Sequence, residues 1–223
     1  MTGDSQRRLI LVRHAKSAWP DVPDRERPLA KRGRRQAPLA GAWLHEAGYR
    51  PDLVLCSPAR RTRETWQLIE AELGKAGRVS YEDRIYAASA PALLDLVHAV
   101  PQRVATLLMV GHSPGLPDLA LQLSGERVAA SGGDALERLR AKFPTAAVAV
   151  LLVPGSWREL TDGGASLAEF AVPRDLEQLA GSPPQMGRSQ WRRSPARFID
   201  LAHGTCAVRS NWTSERAMRL AGK

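Results

Sequence analysis

Three short fragments of the 223-residue chain hold the residue types that handle an oxyanion. They are Arg13-His14, then Ser57-Pro58-Ala59-Arg60-Arg61, then Gly111-His112-Ser113-Pro114. Arginine offers planar, forked N–H donors that match phosphate oxygens, and histidine offers a nucleophilic ring nitrogen or a proton. Each fragment alone is weak. In an Arg-rich chain an Arg-His pair arises by chance about once. A lone histidine at a strand end is more often a hydrogen-bonding part of the framework. Arg60 and Arg61, opening a helix, read alone as a solvated pair.

Position gives the three fragments a common meaning. Residues 9–12, 51–56 and 104–110 are short continuous apolar runs, as strands buried on both faces are. Each fragment follows one of these runs directly. Residues 145–153 and 167–172 supply two further strands. Helices are expected at 34–47, 60–73, 91–99 and 114–124. In the first of these, Leu39, Ala42, Trp43 and Ala47 share a face and Gly48 provides a stop. Pro38 fits only if that helix starts close before it. Strands alternating with helices predict an α/β fold, three layers deep, with a mostly parallel central sheet. Ligands of such sheets bind outside the carboxyl ends of the strands. Three parallel strands would therefore bring two histidines and two or three arginines to one edge.

Composition narrows the class. Hydrophobic residues at 43% and charged residues at 25% exclude wholesale disorder. The longest apolar run, Ala146–Val153, is too short for a membrane span, which needs roughly 20 residues. Arg7 and Arg8 precede only four apolar residues, too few for a signal-peptide core. Two cysteines, Cys56 and Cys206, build no disulfide framework, so a cytoplasmic location is expected. Residues 179–223 carry eight Lys or Arg against two Asp or Glu, a net +6 that leaves +3 of the chain's +9 for residues 1–178. A mildly basic body disfavours nucleic acid as its partner, while the tail could bind polyanions weakly and salt-sensitively. Gly181-Ser182-Pro183-Pro184 marks a linker. The chain thus divides into a domain at 1–180 and a basic, poorly ordered appendage at 181–223.

The fragments resemble the signature of the histidine phosphatase superfamily, the phosphoglycerate-mutase-like fold. Arg13-His14-Ala15-Lys16-Ser17, with Trp19 and Arg27-Pro28-Leu29…Arg32-Gly33, resembles its SixA-type phosphohistidine phosphatase branch. Ser57-Pro58-x-x-Arg61-x-x-Glu64-Thr65 is similar to the Ser-Pro-x-x-Arg-x-x-Gln-Thr element, with Glu64 in place of Gln. Gly111-His112-Ser113-Pro114-Gly115 is similar to the element carrying the second histidine. Phe143-Pro144-Thr145-Ala146 and Pro173-Arg174-Asp175-Leu176 look like later marks of the same branch. The likeness covers roughly residues 7–178.

The resemblance implies roles. His14 attacks phosphorus and becomes a phosphohistidine that water hydrolyses. Arg13, Arg61 and His112 surround the phosphoryl oxygens. No metal and no cofactor is implied. Ser17 reads equally as a phosphate contact and as a turn residue, and Lys16 as a surface charge. Asp83, in Tyr81-Glu82-Asp83-Arg84-Ile85-Tyr86, stands nearest to where ester-cleaving members keep a general acid, and it reads as well as a solvated charge. An alkoxide leaving group needs such an acid, whereas an imidazole whose conjugate acid has a pKa of about 6.5 leaves neutral. A marginal acid therefore favours a phosphorylated protein carrying phosphohistidine. The alternatives are a small phosphate ester as substrate, or a phosphate-recognition protein without turnover, with a basic tail.

Overall fold

The computed structural model describes residues 6–74, 76–124 and 134–181. The expected tail lies outside those residues, save for Gly181 at the end of the last helix, and so does Gly132-Gly133, a pair that reads as a loop. Six strands form one sheet: β1 Arg7–Arg13, β2 Leu53–Cys56, β3 Arg78–Tyr81, β4 Thr106–Gly111, β5 Val148–Val153 and β6 Ser166–Ala171. Their spatial order is β3-β2-β4-β1-β5-β6. The pairs β2–β3, β2–β4 and β1–β4 are parallel, while β1–β5 and β5–β6 are antiparallel. The α/β architecture is as expected, but the sheet is mixed rather than mostly parallel. A continuous apolar run reports burial on both faces and carries no strand direction, so β5 could not be oriented from its letters.

The helices are α1 Lys31–Glu46, α2 Arg60–Leu73, α3 Ala90–His98, α4 Gly115–Ser124, α5 Ala135–Ala141 and α6 Pro173–Gly181. Because strand side chains alternate between faces, β1 sends Leu9 and Leu11 into one core and Ile10 and Val12 into the other. The first core is completed by α3, α4 and α5, the second by Trp43 and Leu44 of α1 and by Trp66, Ile69 and Leu73 of α2. Trp43, Trp66 and Leu73 are therefore core residues, as their helical spacing predicts. Helix α1 begins at Lys31, well before Pro38, and runs through it. Proline there has no N–H for the Arg34 carbonyl, and the packing of α1 against α2 and the sheet carries that loss.

Gly33 lets the start of α1 approach the loop after β1. A Cβ at this position would stand 2.2 Å from the Lys16 carbonyl oxygen. That loop is closed further by Ala30 N–H on Lys16 O (2.8 Å), Ala18 N–H on Pro28 O (2.9 Å) and a bridge between Ser17 and Leu29. No described helix is long and apolar enough to cross a membrane.

Candidate active site

β2, β4 and β1 are adjacent and parallel, so the three fragments emerge together. Ladder bonds carry the register past the strand ends: His14 N–H donates to Gly111 O (3.0 Å) and Ser57 N–H to Val110 O (3.0 Å). The rings of His14 and His112 come within 5.3 Å, centroid to centroid. They share a cleft of about 370 Å³ with Arg13, Lys16, Ser17, Trp19, Asp24, Arg27, Arg61, Tyr86, Ala87, Ser113 and Thr145.

His14 is oriented by its own backbone turn. Ala15 N–H donates to Thr65 Oγ1 (2.9 Å), whose hydroxyl donates to Arg61 O (2.6 Å). His14 Nδ1 lies 2.8 Å from the Ala15 carbonyl. A carbonyl only accepts, so Nδ1 carries the proton and the neutral ring presents a lone pair at Nε2. Burial is the main reason the His14 pKa falls to about 4; the Ala15 bond opposes the fall, and Arg61, Arg13 and Arg27 add to it. At neutral pH the ring is uncharged.

His112 is 8% exposed and held at both nitrogens. Nδ1 lies 3.4 Å from an Arg61 N–H, which donates to it, so Nε2 donates to Ser57 Oγ (2.8 Å). Burial first, then the His14 and Arg61 charges, bring its pKa to about 3. Tyr86 packs its ring edge-on against His112 at 5.4 Å.

Arg61, 6% exposed, lies in the cleft, while its neighbour Arg60 points away to Glu64 Oε1 (2.8 Å). Arg61 donates to the Asp24 carbonyl (2.6 Å) and to Asp24 Oδ2 (3.0 Å). Arg13 donates to Phe143 O (2.6 Å), and its Nε is buried without a hydrogen-bond partner among the described residues. Ser17 is buried in the cleft wall, where its hydroxyl accepts from Arg27 (2.8 Å). Lys16 also lines the cleft with its side chain exposed. Glu64, the replacement for glutamine, accepts from Leu29 N–H (2.9 Å), Arg34 and Arg60. Burial would raise its pKa, but those donors outweigh burial and hold the carboxyl ionised.

The aspartate that lines the cleft is not the one expected there. Asp83 is not among the residues lining the cleft. Its carboxylate is 75% exposed and paired with Arg25 at 3.0 Å, on a rim where Arg25 also stacks on Tyr86. Asp24, to which the sequence alone gives no role, lines the cleft. It accepts from Tyr86 OH (2.5 Å), Arg27 (2.9 Å) and Arg61 (3.0 Å), and these hold its carboxyl well below the usual range, with the Tyr86 bond the largest influence. Its one sequence signal is the i,i+3 spacing to Arg27. Tyr86 and Thr145 also line the cleft, and the sequence alone gives neither a role. Ala87 (φ 54°) and Ala146 (φ 62°) adopt left-handed backbone beside the cleft, a strain of about 1–3 kcal/mol each that tends to persist where a site fixes it. Ala146 N–H ties that turn to the Arg13 and His14 carbonyls at 3.1 and 3.2 Å.

Residues 9–151 match the family model of the histidine phosphatase superfamily, branch 1. The chain belongs to that superfamily. Its fold and sequence place this histidine phosphatase on the SixA-type branch. A Nakamurella multipartitia structure, assigned as a SixA phosphohistidine phosphatase, is 34% identical, with 75% of this chain and 96% of that one covered and a TM-score of 0.65. A second SixA assignment, from Agrobacterium tumefaciens, is 30% identical over 75% of this chain and 98% of that one, with a TM-score of 0.62. An uncharacterized protein of Mycobacterium tuberculosis is 43% identical over 166 residues, 73% of this chain and all of that protein.

Cys56, buried beside the site, is not a thiolate: burial pushes its pKa up to about 12.

Proposed function

We propose that the protein removes phosphate from phosphohistidine, carried on a protein, through a phosphohistidine intermediate at His14. The observation that carries this reading is the carboxyl inventory of the cleft: Asp24 is its one acid among the described residues, and Asp24 is held ionised. An ionised carboxylate gives no proton to an alkoxide. Imidazole needs none, because a ring that keeps a proton on its second nitrogen leaves as a neutral molecule. The SixA assignments of the two structural relatives support the same substrate class.

The geometry supports the following steps. The His14 Nε2 lone pair attacks phosphorus, and the substrate P–N bond breaks with its electron pair returning to the leaving imidazole. Arg13 and Arg61 face the oxygens as charge spreads over them. A phosphate dianion beside His112 offsets the His14 and Arg61 charges that add to burial in lowering its pKa, and so favours an imidazolium that donates to it. Water then attacks phosphorus, the P–N bond to His14 breaks, and the water proton passes to the departing phosphate. Asp24 acts on Arg61, fixing its fork.

The test is turnover of a phosphohistidine-bearing protein beside a panel of alcohol phosphates. The reading expects phosphohistidine to dominate in kcat/KM. It also expects Asp83→Asn to lower that value less than about tenfold, since loss of a working acid costs roughly 10²–10⁴. Preference for an alkyl phosphate, or a hundredfold loss in D83N, would reject it.

A further inference from the structure

Trp19 is out of character for this molecule. Trp43, Trp66 and Trp157 are buried, yet Trp19 stands 77% exposed while lining the cleft that holds His14 and Arg61. One face of its indole is taken. The Arg27 guanidinium lies 3.2 Å from the ring centroid. That cation is itself locked: it is 7% exposed and donates to the Ala18 carbonyl (3.0 Å), Asp24 Oδ1 (2.9 Å) and Ser17 Oγ (2.8 Å). The loop carrying both residues is closed onto the start of α1. The indole is thus backed by a cation fixed by three hydrogen bonds, and most of the side chain is left open. A large aromatic left wet costs hydrophobic free energy that burial would return. Its chemistry suits a flat, electron-poor ring, since aromatic faces attract other rings and cations.

We propose that Trp19 is the platform on which the imidazole of the substrate phosphohistidine stacks, which makes it a specificity-determining residue for nitrogen-linked phosphate on a ring. This rests on the phosphohistidine reading above and adds the contact that selects the leaving group. Phosphate recognition belongs to Arg13, Arg61 and His112. Ring recognition would belong to Trp19, so the two are separable.

Phosphoramidate supplies the control, because it has the same P–N bond and no ring. Free phosphohistidine supplies the ring without a protein surface. Trp19→Ala should raise KM for free phosphohistidine about three- to tenfold, the usual worth of an aromatic pair, with kcat changed little. Trp19→Phe should recover most of that loss. Kinetics on phosphoramidate should stay within about twofold of wild type. Equal losses on both substrates would mean that Trp19 acts only by covering Arg27, and would overturn the proposal. No loss on either would overturn it as well. A loss confined to protein-borne phosphohistidine would assign Trp19 to a partner surface instead and overturn it too. Failure of the wild-type protein to cleave any P–N substrate would reject the phosphohistidine reading itself, and this inference with it.

Discussion

His14 and His112 are neutral for the same dominant reason, burial, reinforced by the arginines around them. Their folded pKa values of about 4 and 3 lie below the unfolded value of about 6.5. The unfolded chain therefore binds more protons between those values, so their contribution to stability is complete above about pH 6.5. It is lost as pH falls toward 4. NMR titration should find both rings neutral to below pH 5, and a midpoint near 6.5 for either would contradict the account. Ser57 is another residue whose part only the structure supplies. Its hydroxyl accepts from His112 Nε2, so Ser57→Ala should lower kcat about three- to tenfold, the worth of one hydrogen bond. Wild-type kcat in that variant would remove Ser57 from the positioning of His112. Arg61 could be told from Arg60 by motif spacing, and the structure puts only Arg61 in the cleft. Asp24 shows only its i,i+3 spacing to Arg27 in the sequence; its hold on Arg61 and Tyr86 arises from a loop folding back onto α2, which that spacing does not encode.

At the scale of elements, what was legible is what hydrophobic pattern controls. β1, β2 and β4 are long enough or apolar enough to announce themselves, and α2 spans residues 60–73 as its spacing predicts. β3 was missed because its four residues lie at the sheet edge, none of them buried, without an apolar run. α5 and α6 are short helices of seven and nine residues whose patterns compete with neighbouring turns. The contact between α1 and the Lys16 loop is the element-level feature on which the cleft wall depends. Gly33→Ala forces a Cβ against a backbone oxygen, so it should cost about 1–3 kcal/mol of stability. Thermal melting read beside kcat should show both fall, and a variant that melts like wild type would show that the loop yields freely.

For the whole molecule, the two cores lie one on each face of the sheet within the described residues, and they hold in register the strand ends that carry Ser57, His112 and His14. We propose that this part is the catalytic domain, as the composition shift near residue 180 suggests. A chain ending at residue 181 should keep the melting temperature and kcat of the full chain. It should also lose any salt-sensitive retention on a polyanion matrix, since its net charge drops from +9 to +3. Loss of turnover on truncation would place part of the site in the tail. The mixed sheet does not disturb this scheme, because the antiparallel strand β5 lies outside the β2-β4-β1 trio whose carboxyl ends carry Ser57, His112 and His14.

The central claim is that His14 Nε2 takes the phosphoryl group. Rapid acid-free quenching of the enzyme during turnover of a radiolabelled phosphohistidine substrate tests it most directly. The account predicts label on His14 that survives base and is lost in acid, and neither label nor turnover in His14→Ala. Label on another residue, or turnover that persists in His14→Ala, would contradict it.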